Sequence, residues 1–143
     1  MTKTLSRLLD ANINRALEGL RVCEDIIRFA LNDKDTTKRF KDLRHEFFDC
    51  MGNGSFDYLQ IIKQRDAVKD VGKGSTDGEL SRKGIEGIFF ANSLRVKESF
   101  RVAEEVLKIV DVEKTGIVKS LRFKLYTLEK DAAKKLETLR HRR

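Results

Sequence analysis

The sequence predicts an all-α fold, an elongated antiparallel helical bundle, on three observations. No proline occurs in 143 residues, where average usage would supply about seven. Proline removes a helix hydrogen bond and clashes with the preceding turn, so long uninterrupted helices account for its absence. Apolar residues recur at helical spacing over long windows. The chain also repeats one of its own helical stretches about 80 residues later. Hydrophobic residues make up 40% of the chain and include nine Phe, enough for a core and too many for a disordered polyampholyte. The length fits a single domain, 1–143.

Taken in order, the first helix spans Thr4 to Leu31, and Asn32-Asp33 ends it. A helix of that length is about 42 Å long, beyond the radius of gyration of roughly 14 to 15 Å for a compact chain of this size. The bundle is therefore expected to be elongated. The second helix starts at Asp35, a good N-cap, and runs to Met51, where Gly52-Asn53-Gly54 stops it. A shorter helix is expected over Ser55 to Lys63. The stretch 64–78 carries Gly72, Gly74 and Gly78 with no apolar period and reads as a loop. The next helix begins near Thr76 or Asp77 and reaches Val110. Asp111 caps the last one, which continues to Arg140.

The internal repeat is the most informative feature. Residues 11–25 align with residues 91–105 with seven of fifteen positions identical, and Lys41-Asp-Leu-Arg44 matches Lys119-Ser-Leu-Arg122. Two helical hairpins, approximately 4–51 and 79–140, are thus expected to pack about a pseudo-twofold axis, with equivalent residues lining one shared cleft. At about 100° per residue, Ala16, Leu20, Cys23 and Ile27 share one arc with Asn12 and Glu24 at its flanks. Val96, Phe100, Ala103 and Leu107 occupy the same arc in the second copy. Phe89 and Phe90 are also assigned to the core, and Cys23 is read as a packed thiol.

Polar residues that hold the same places in both copies call for a buried network or a binding role. They are Asn12, Arg15 and Glu24 with Asn92, Arg95 and Glu104, joined by Arg21 and Arg101. Glu24 and Glu104 should be buried and paired with Arg44 and Arg122, since polar groups packed against a neighbour must be hydrogen-bonded. Arginine binds phosphate oxygens in bidentate fashion, and Arg15, Arg44, Arg95 and Arg122 are spaced to converge. The loop adds Arg65, Asp66, Asp70 and Gly72. Its glycines let backbone N–H groups approach an anion, and a helix N-terminus follows at Thr76. Asp66 and Asp70 are the oxygen ligands available for Mg²⁺. On this reading the loop is the phosphate and metal end of a site. As a passive connector, its acids would be turn formers.

Other classes are disfavoured. No apolar run is long enough to span a bilayer. Met1 to Asp10 lacks the apolar core of a secretory signal, so a cytoplasmic protein is expected. Two Cys and two His at unrelated spacings do not predict a disulfide framework or a zinc site. The net charge is +7, with +4 of it between Lys130 and Arg143. That excess suits a helix C-terminus and reads as a solvated tail. Without aromatic-interleaved basic sheets or a helix-turn-helix spacing, nucleic acid is the weakest partner.

At these motifs the sequence resembles the short all-helical hydroxymethylpyrimidine phosphate kinases of thiamin biosynthesis, a domain that also occurs fused to the N-terminus of thiamine phosphate synthase. The residues that carry the resemblance include Asp10-Ala-Asn12, Arg15, Glu18-Gly-Leu-Arg-Val22, Glu24, Leu43-Arg44, Arg65-Asp66 and Asp70-Val-Gly72. They continue with Arg82, Ala91-Asn92, Arg95, Glu98, Arg101, Glu104-Glu105, Leu121-Arg122 and Leu125-Tyr-Thr-Leu-Glu129. The chain departs from the family pattern at Leu17, Ala67, Lys69 and Lys73.

The resemblance implies phosphoryl transfer from ATP to hydroxymethylpyrimidine monophosphate. Such chemistry needs positioning and charge neutralisation by Arg and Mg²⁺ rather than a nucleophilic pair. Under it, Asp66 and Asp70 are the catalytic and metal-binding residues. Arg15, Arg44, Arg65, Gly72, Arg82, Arg95 and Arg101 hold phosphate. Asn12, Glu24, Asn92 and Glu104 hold substrate. The alternatives are a non-catalytic regulatory or interaction module for a thiamine phosphate synthase, and a basic helical nucleic-acid binder. No synthase follows Arg143, which favours the kinase over the module. The oligomeric state is left open.

Overall fold

The computed structural model describes residues 1–53 and 57–141, and among these every regular element is helical. The elements are α1 (Lys3–Ile26), continued by one π-helical turn (Ile27–Leu31), α2 (Lys34–Gly52), α3 (Tyr58–Ile62), α4 (Gly84–Val110) and α5 (Val112–His141). Helix α1 packs most extensively along α4, with α2 on its other side, and α5 lies against α4 and α2. The expected arc of α1 is the buried one. Leu9, Ile13, Ala16, Leu20, Cys23 and Ile27 are fully enclosed, facing Val96, Phe100, Ala103 and Leu107 of α4. Phe47 meets Phe100 with ring centroids 4.7 Å apart, and Phe40 meets Phe89 edge-on. Phe90, assigned to the core from its apolar run, is 44% exposed and touches only the outer side of that cluster through Phe89.

The closest approach falls where α1 passes α4. A Cβ built on Gly19 would lie 2.6 Å from Val96 Cγ2 and 3.0 Å from the Asn92 carbonyl oxygen. Only a residue without a side chain lets the two backbones come this near. The helices cross backbone to side chain there, so residues on both sides of the crossing are held at fixed separation.

One boundary falls where the sequence places it and two differ. Asn32 takes the left-handed conformation, φ 53°, and ends the first helix as expected. The cap of α2 is then Asp33, not Asp35: its carboxylate accepts from Thr36 N–H at 2.9 Å. Asp33 is the first extended residue after the left-handed one, which is the geometry an N-cap needs. The long helix α4 begins at Gly84, not near Thr76. Thr76–Leu80 forms only a hydrogen-bonded turn. Leu80 is 74% exposed, so the segment has no apolar side chain buried against the bundle to extend the helix. Gly54, Ser55, Arg142 and Arg143, assigned to the stop of α2, the start of the short helix and the basic tail, lie outside the described residues.

The other termini are satisfied by side chains. Asp57 caps α3 by accepting from Leu59 N–H at 3.0 Å. The Lys114 ammonium donates to the carbonyls of Cys50, at 2.5 Å, and Asn53, closing the end of α2 against α5. Buried carbonyls at a helix end need such donors. No helix among the described residues is long and apolar enough to cross a membrane.

Asp33 also accepts from Lys135 Nζ at 2.5 Å, tying the turn after the π segment to α5. The Lys135 hydrogen bond first, and the Thr36 N–H second, hold the Asp33 carboxyl below its ordinary value of 3.8. The native value is the lower one. The contribution is therefore complete above the ordinary value and is lost as pH falls through the native one. Asp33→Ala should lower the unfolding free energy at neutral pH by about 1 kcal/mol. In urea titrations the gap between variant and parent should close progressively as pH falls below 3.8.

Candidate functional site

Where α1 passes α4, a cleft of about 480 Å³ is lined by Asn12 and Arg15 from α1 and by Arg95, Glu98, Ser99 and Val102 from α4. The long loop that precedes α4 folds over one end and contributes Gly72 and Glu79. Asn12 is buried. Its amide donates to the Leu8 carbonyl at 2.8 Å, and its Oδ1 accepts from Arg15 Nη1 at 3.4 Å. Among the described residues neither Arg15 nor Arg95 has a carboxylate within salt-bridge distance. Both guanidinium groups are exposed at the cleft and available to an anion.

The other arginines assigned to phosphate are committed within the protein. Arg44 binds Glu24, with Nε donating to Oε1 at 3.1 Å and Nη2 at 3.0 Å from the same oxygen. Its counterpart Arg122 binds Glu104 in bidentate fashion at 2.6 and 3.0 Å and donates to Tyr126 Oη at 2.8 Å. Glu24 and Glu104, assigned to substrate, are 4% and 3% exposed and turned onto these arginines. The repeat-based pairing is present in both halves. Arg65 grips Asp10, a buried acid of α1, through two bonds of 2.6 Å. That carboxylate pushes the Arg65 guanidinium further up from its ordinary value. Arg101 points away from the cleft and pairs with Glu105 at 3.3 Å. Arg82 donates to carbonyls of its own turn, at Gly78, Glu79 and Ser81.

The remaining assignments separate in the same way. Asn92 bonds the Ile88 carbonyl at 2.8 Å, as Asn12 bonds Leu8, but it does not line the cleft. Its carbonyl instead abuts Gly19. Gly72 reaches the cleft, yet its N–H is donated to Asp70 Oδ1 at 2.7 Å. Asp66 accepts from Lys69 N–H at 3.0 Å. Both loop acids are thus turn formers. They lie in a separate hollow of about 160 Å³ with Arg7, Asp10 and Arg65. With no helix starting at Thr76, the N-terminal anion site expected there is absent. No group of three or more potential metal ligands occurs among the described residues. Asp66 and Asp70 each give one oxygen, Oδ1, to a backbone N–H and do not by themselves make a protein-built Mg²⁺ cage; the ion would need phosphate oxygens and water to complete its shell.

Sequence reasoning missed Ser99, Val102 and Glu79 as cleft residues and Asp10 as the partner of Arg65. Ser99 replaces the repeat's Gly19, and that exchange was the available signal. Cys23 is inert: burial, then the Glu129 charge, push its thiol up to about 12.

Two outcomes follow from the commitments. Glu104→Ala leaves Arg122 charged and buried, and should cost about 3 to 5 kcal/mol in urea unfolding. Arg65→Ala frees the loop from α1. It should speed amide exchange across residues 64–83 by at least tenfold, and, by leaving the buried Asp10 carboxylate without its cation, it should also lower the melting temperature.

The sequence profile of the ThiD2 family matches residues 7–131. Over 142 residues, 99% of the chain, the sequence is 36% identical to a thiamine-phosphate synthase of Rhodopirellula baltica and covers 37% of that protein. It is 38% identical over 127 residues to the thiamine-phosphate synthase of Prochlorococcus marinus strain AS9601, spanning 87% of this chain and 34% of that one. The Thermosynechococcus vestitus synthase is 38% identical over 126 residues, with the same coverage. The chain thus spans about a third of the length of the curated relatives it matches. No solved structure matches it. These relatives correct the kinase reading. They are named as synthases, and Arg44, Arg65, Asp66 and Asp70, assigned to phosphate and Mg²⁺, make internal bonds.

Proposed function

The chain belongs to the ThiD2 family, and we propose that it serves thiamin biosynthesis as a non-catalytic module that binds a phosphorylated pyrimidine and works with a thiamine-phosphate synthase. The observation that carries this reading is one of extent. Nearly the whole chain aligns with about a third of a synthase polypeptide, so the same helical unit is built into a synthase there.

The cleft supports a binding role. Arg15 and Arg95 are the two assigned arginines that line it and have no carboxylate partner among the described residues. A phosphate between two guanidinium groups makes charge-assisted, bidentate hydrogen bonds. Asn12 Oδ1, the Ser99 hydroxyl and the Glu98 carboxylate supply acceptors and a donor for the edge of an aminopyrimidine. Mg²⁺ enters this reading only as a counterion carried by the ligand's phosphate, since Mg²⁺ keeps its waters and favours phosphate oxygens.

Thermal denaturation with hydroxymethylpyrimidine phosphate tests the cleft. Ligand at about a hundredfold over its Kd should stabilise the fold by about 2.7 kcal/mol. Arg15→Ala or Arg95→Ala should remove most of that shift. The partner half is tested by mixing the chain with a thiamine-phosphate synthase lacking this unit: a complex in sedimentation, or a changed synthase rate, is expected. No stabilisation at millimolar ligand rejects the cleft, and neither complex nor rate change rejects the module.

A further inference from the structure

A second cavity, about 880 Å³ and larger than the cleft above, lies elsewhere on the bundle. It opens between α1 and α2, with Leu17, Val22 and Phe48 among its walls. Its polar rim is Glu18, Arg21, Asp25, Arg44, His45 and Asp49. The two arginines of that rim are neutralised. Arg44 is held by Glu24, and Arg21 stands 3.6 Å from Glu24 and 3.7 Å from Asp25. Glu18 and Asp49 have no cation within salt-bridge distance among the described residues. Asp25 Oδ1 is shielded from water and accepts no hydrogen bond among those residues. The cavity is therefore locally acidic in a protein of net charge +7.

The matching positions of the second repeat show what such a place accommodates. Lys97 stands where the first copy has Leu17, and Tyr126 where it has Phe48. There the Lys97 ammonium lies 5.9 Å from the Tyr126 ring centre and binds Glu129 at 3.0 Å. The second half thus fills its groove with its own cation over an aromatic ring. The first half keeps the ring, 48% exposed, but has no lysine at this place; Met51 stands where the second half has Glu129, and the acids here are Glu18, Asp25 and Asp49 instead.

We propose that the α1–α2 groove binds a flat organic cation, a heteroaromatic ring carrying a fixed positive charge. That charge takes the place Lys97 occupies in the other half. A cation over Phe48 gains from the ring's negative face, and the walls of Leu17 and Val22 cover the apolar ring system. A cleft of this size and lining suits a small organic ligand. The site is separate from the Asn12–Arg15–Arg95 cleft and does not depend on its occupant.

Calorimetric titration with N-methylquinolinium, against neutral quinoline at pH 8, tests the proposal. The cation should bind at least tenfold more tightly than its neutral isostere. Amide shifts in nitrogen-15 spectra should centre on Leu17, Phe48 and Asp49. The Glu18→Gln, Asp49→Asn double variant should weaken the cation at least fivefold and leave quinoline unchanged. Leu17→Lys, which supplies the missing internal cation, should abolish cation binding. Equal binding of the two probes overturns the proposal, as do shifts centred elsewhere or no cation binding up to about 10 mM. Should a variant fail to fold, the ratio of the two probes on the unaltered chain still decides.

Discussion

Gly19 lets α1 and α4 pass with the carbonyl of Asn92 at the distance of a missing side chain. That approach fixes the spacing of the most extensive helix pairing in the bundle, α1 with α4, and the cleft is one of its consequences. Asn12 and Ser99 lie further along the same helix pair. Arg15 and Arg95 come from opposite helices yet open onto one space because the helices cannot drift apart or rotate without breaking the Gly19 contact. Interiors packed at crystal-like density transmit such a constraint over several turns. The site is accordingly built on rigid helices, with the loop contributing only a cover through Gly72 and Glu79.

The arginines divide by the dielectric around them. Arg44, Arg65 and Arg122 reach buried carboxylates, where an unpaired charge is strongly disfavoured. Each therefore lies close to its acid at 2.6 to 3.1 Å. Arg15 and Arg95 sit at the solvated mouth, where an unpaired guanidinium costs little. Residue type alone does not distinguish a ligand-binding arginine from a structural one. The distinction comes from whether a carboxylate is folded against it, and that is a property of tertiary packing. Arg44 and Arg65, assigned to phosphate, are engaged with Glu24 and Asp10 for this reason. The turn-forming roles of Asp66 and Asp70 are likewise set by loop geometry.

Much of the fold was legible in the sequence. The apolar arc of α1, the end of the first helix at Asn32 and the joint at Asp111 follow from 3.6-residue periodicity and local backbone preference. The Glu24–Arg44 and Glu104–Arg122 pairs were legible because both members recur at matching positions. Asp10–Arg65 has no second copy and spans 55 residues, so nothing in the pattern marks it. The start of α4 was misplaced because Thr76-Asp77 carries the signal of a helix cap, while the decisive factor was the absence of anything apolar to bury before Ile85. The cleft's arginines and Asn12 were named from the repeat. The cleft's outline, including Ser99 and Val102, required the crossing geometry.

The two copies of the repeated stretch have kept their buried ion pairs and diverged at their outer faces. Burial explains the contrast. Changing one member of a pair such as Glu104–Arg122 leaves a charge without compensation inside the bundle, so single substitutions there are destabilising. At the outer face, exchanging Leu17 for Lys97 or Phe48 for Tyr126 alters groups that water still reaches, and such changes seldom move stability by more than a few tenths of a kcal/mol. The outer faces are thus where the two halves could acquire different chemistry without loss of the fold. In α4–α5 that freedom produced a closed network of Lys97, Tyr126, Arg122 and Glu129. In α1–α2 it left an acid-rimmed apolar groove with Phe48 open to it. A bundle with internal likeness therefore presents one filled face and one open face, and the asymmetry lies in a handful of side chains outside the core.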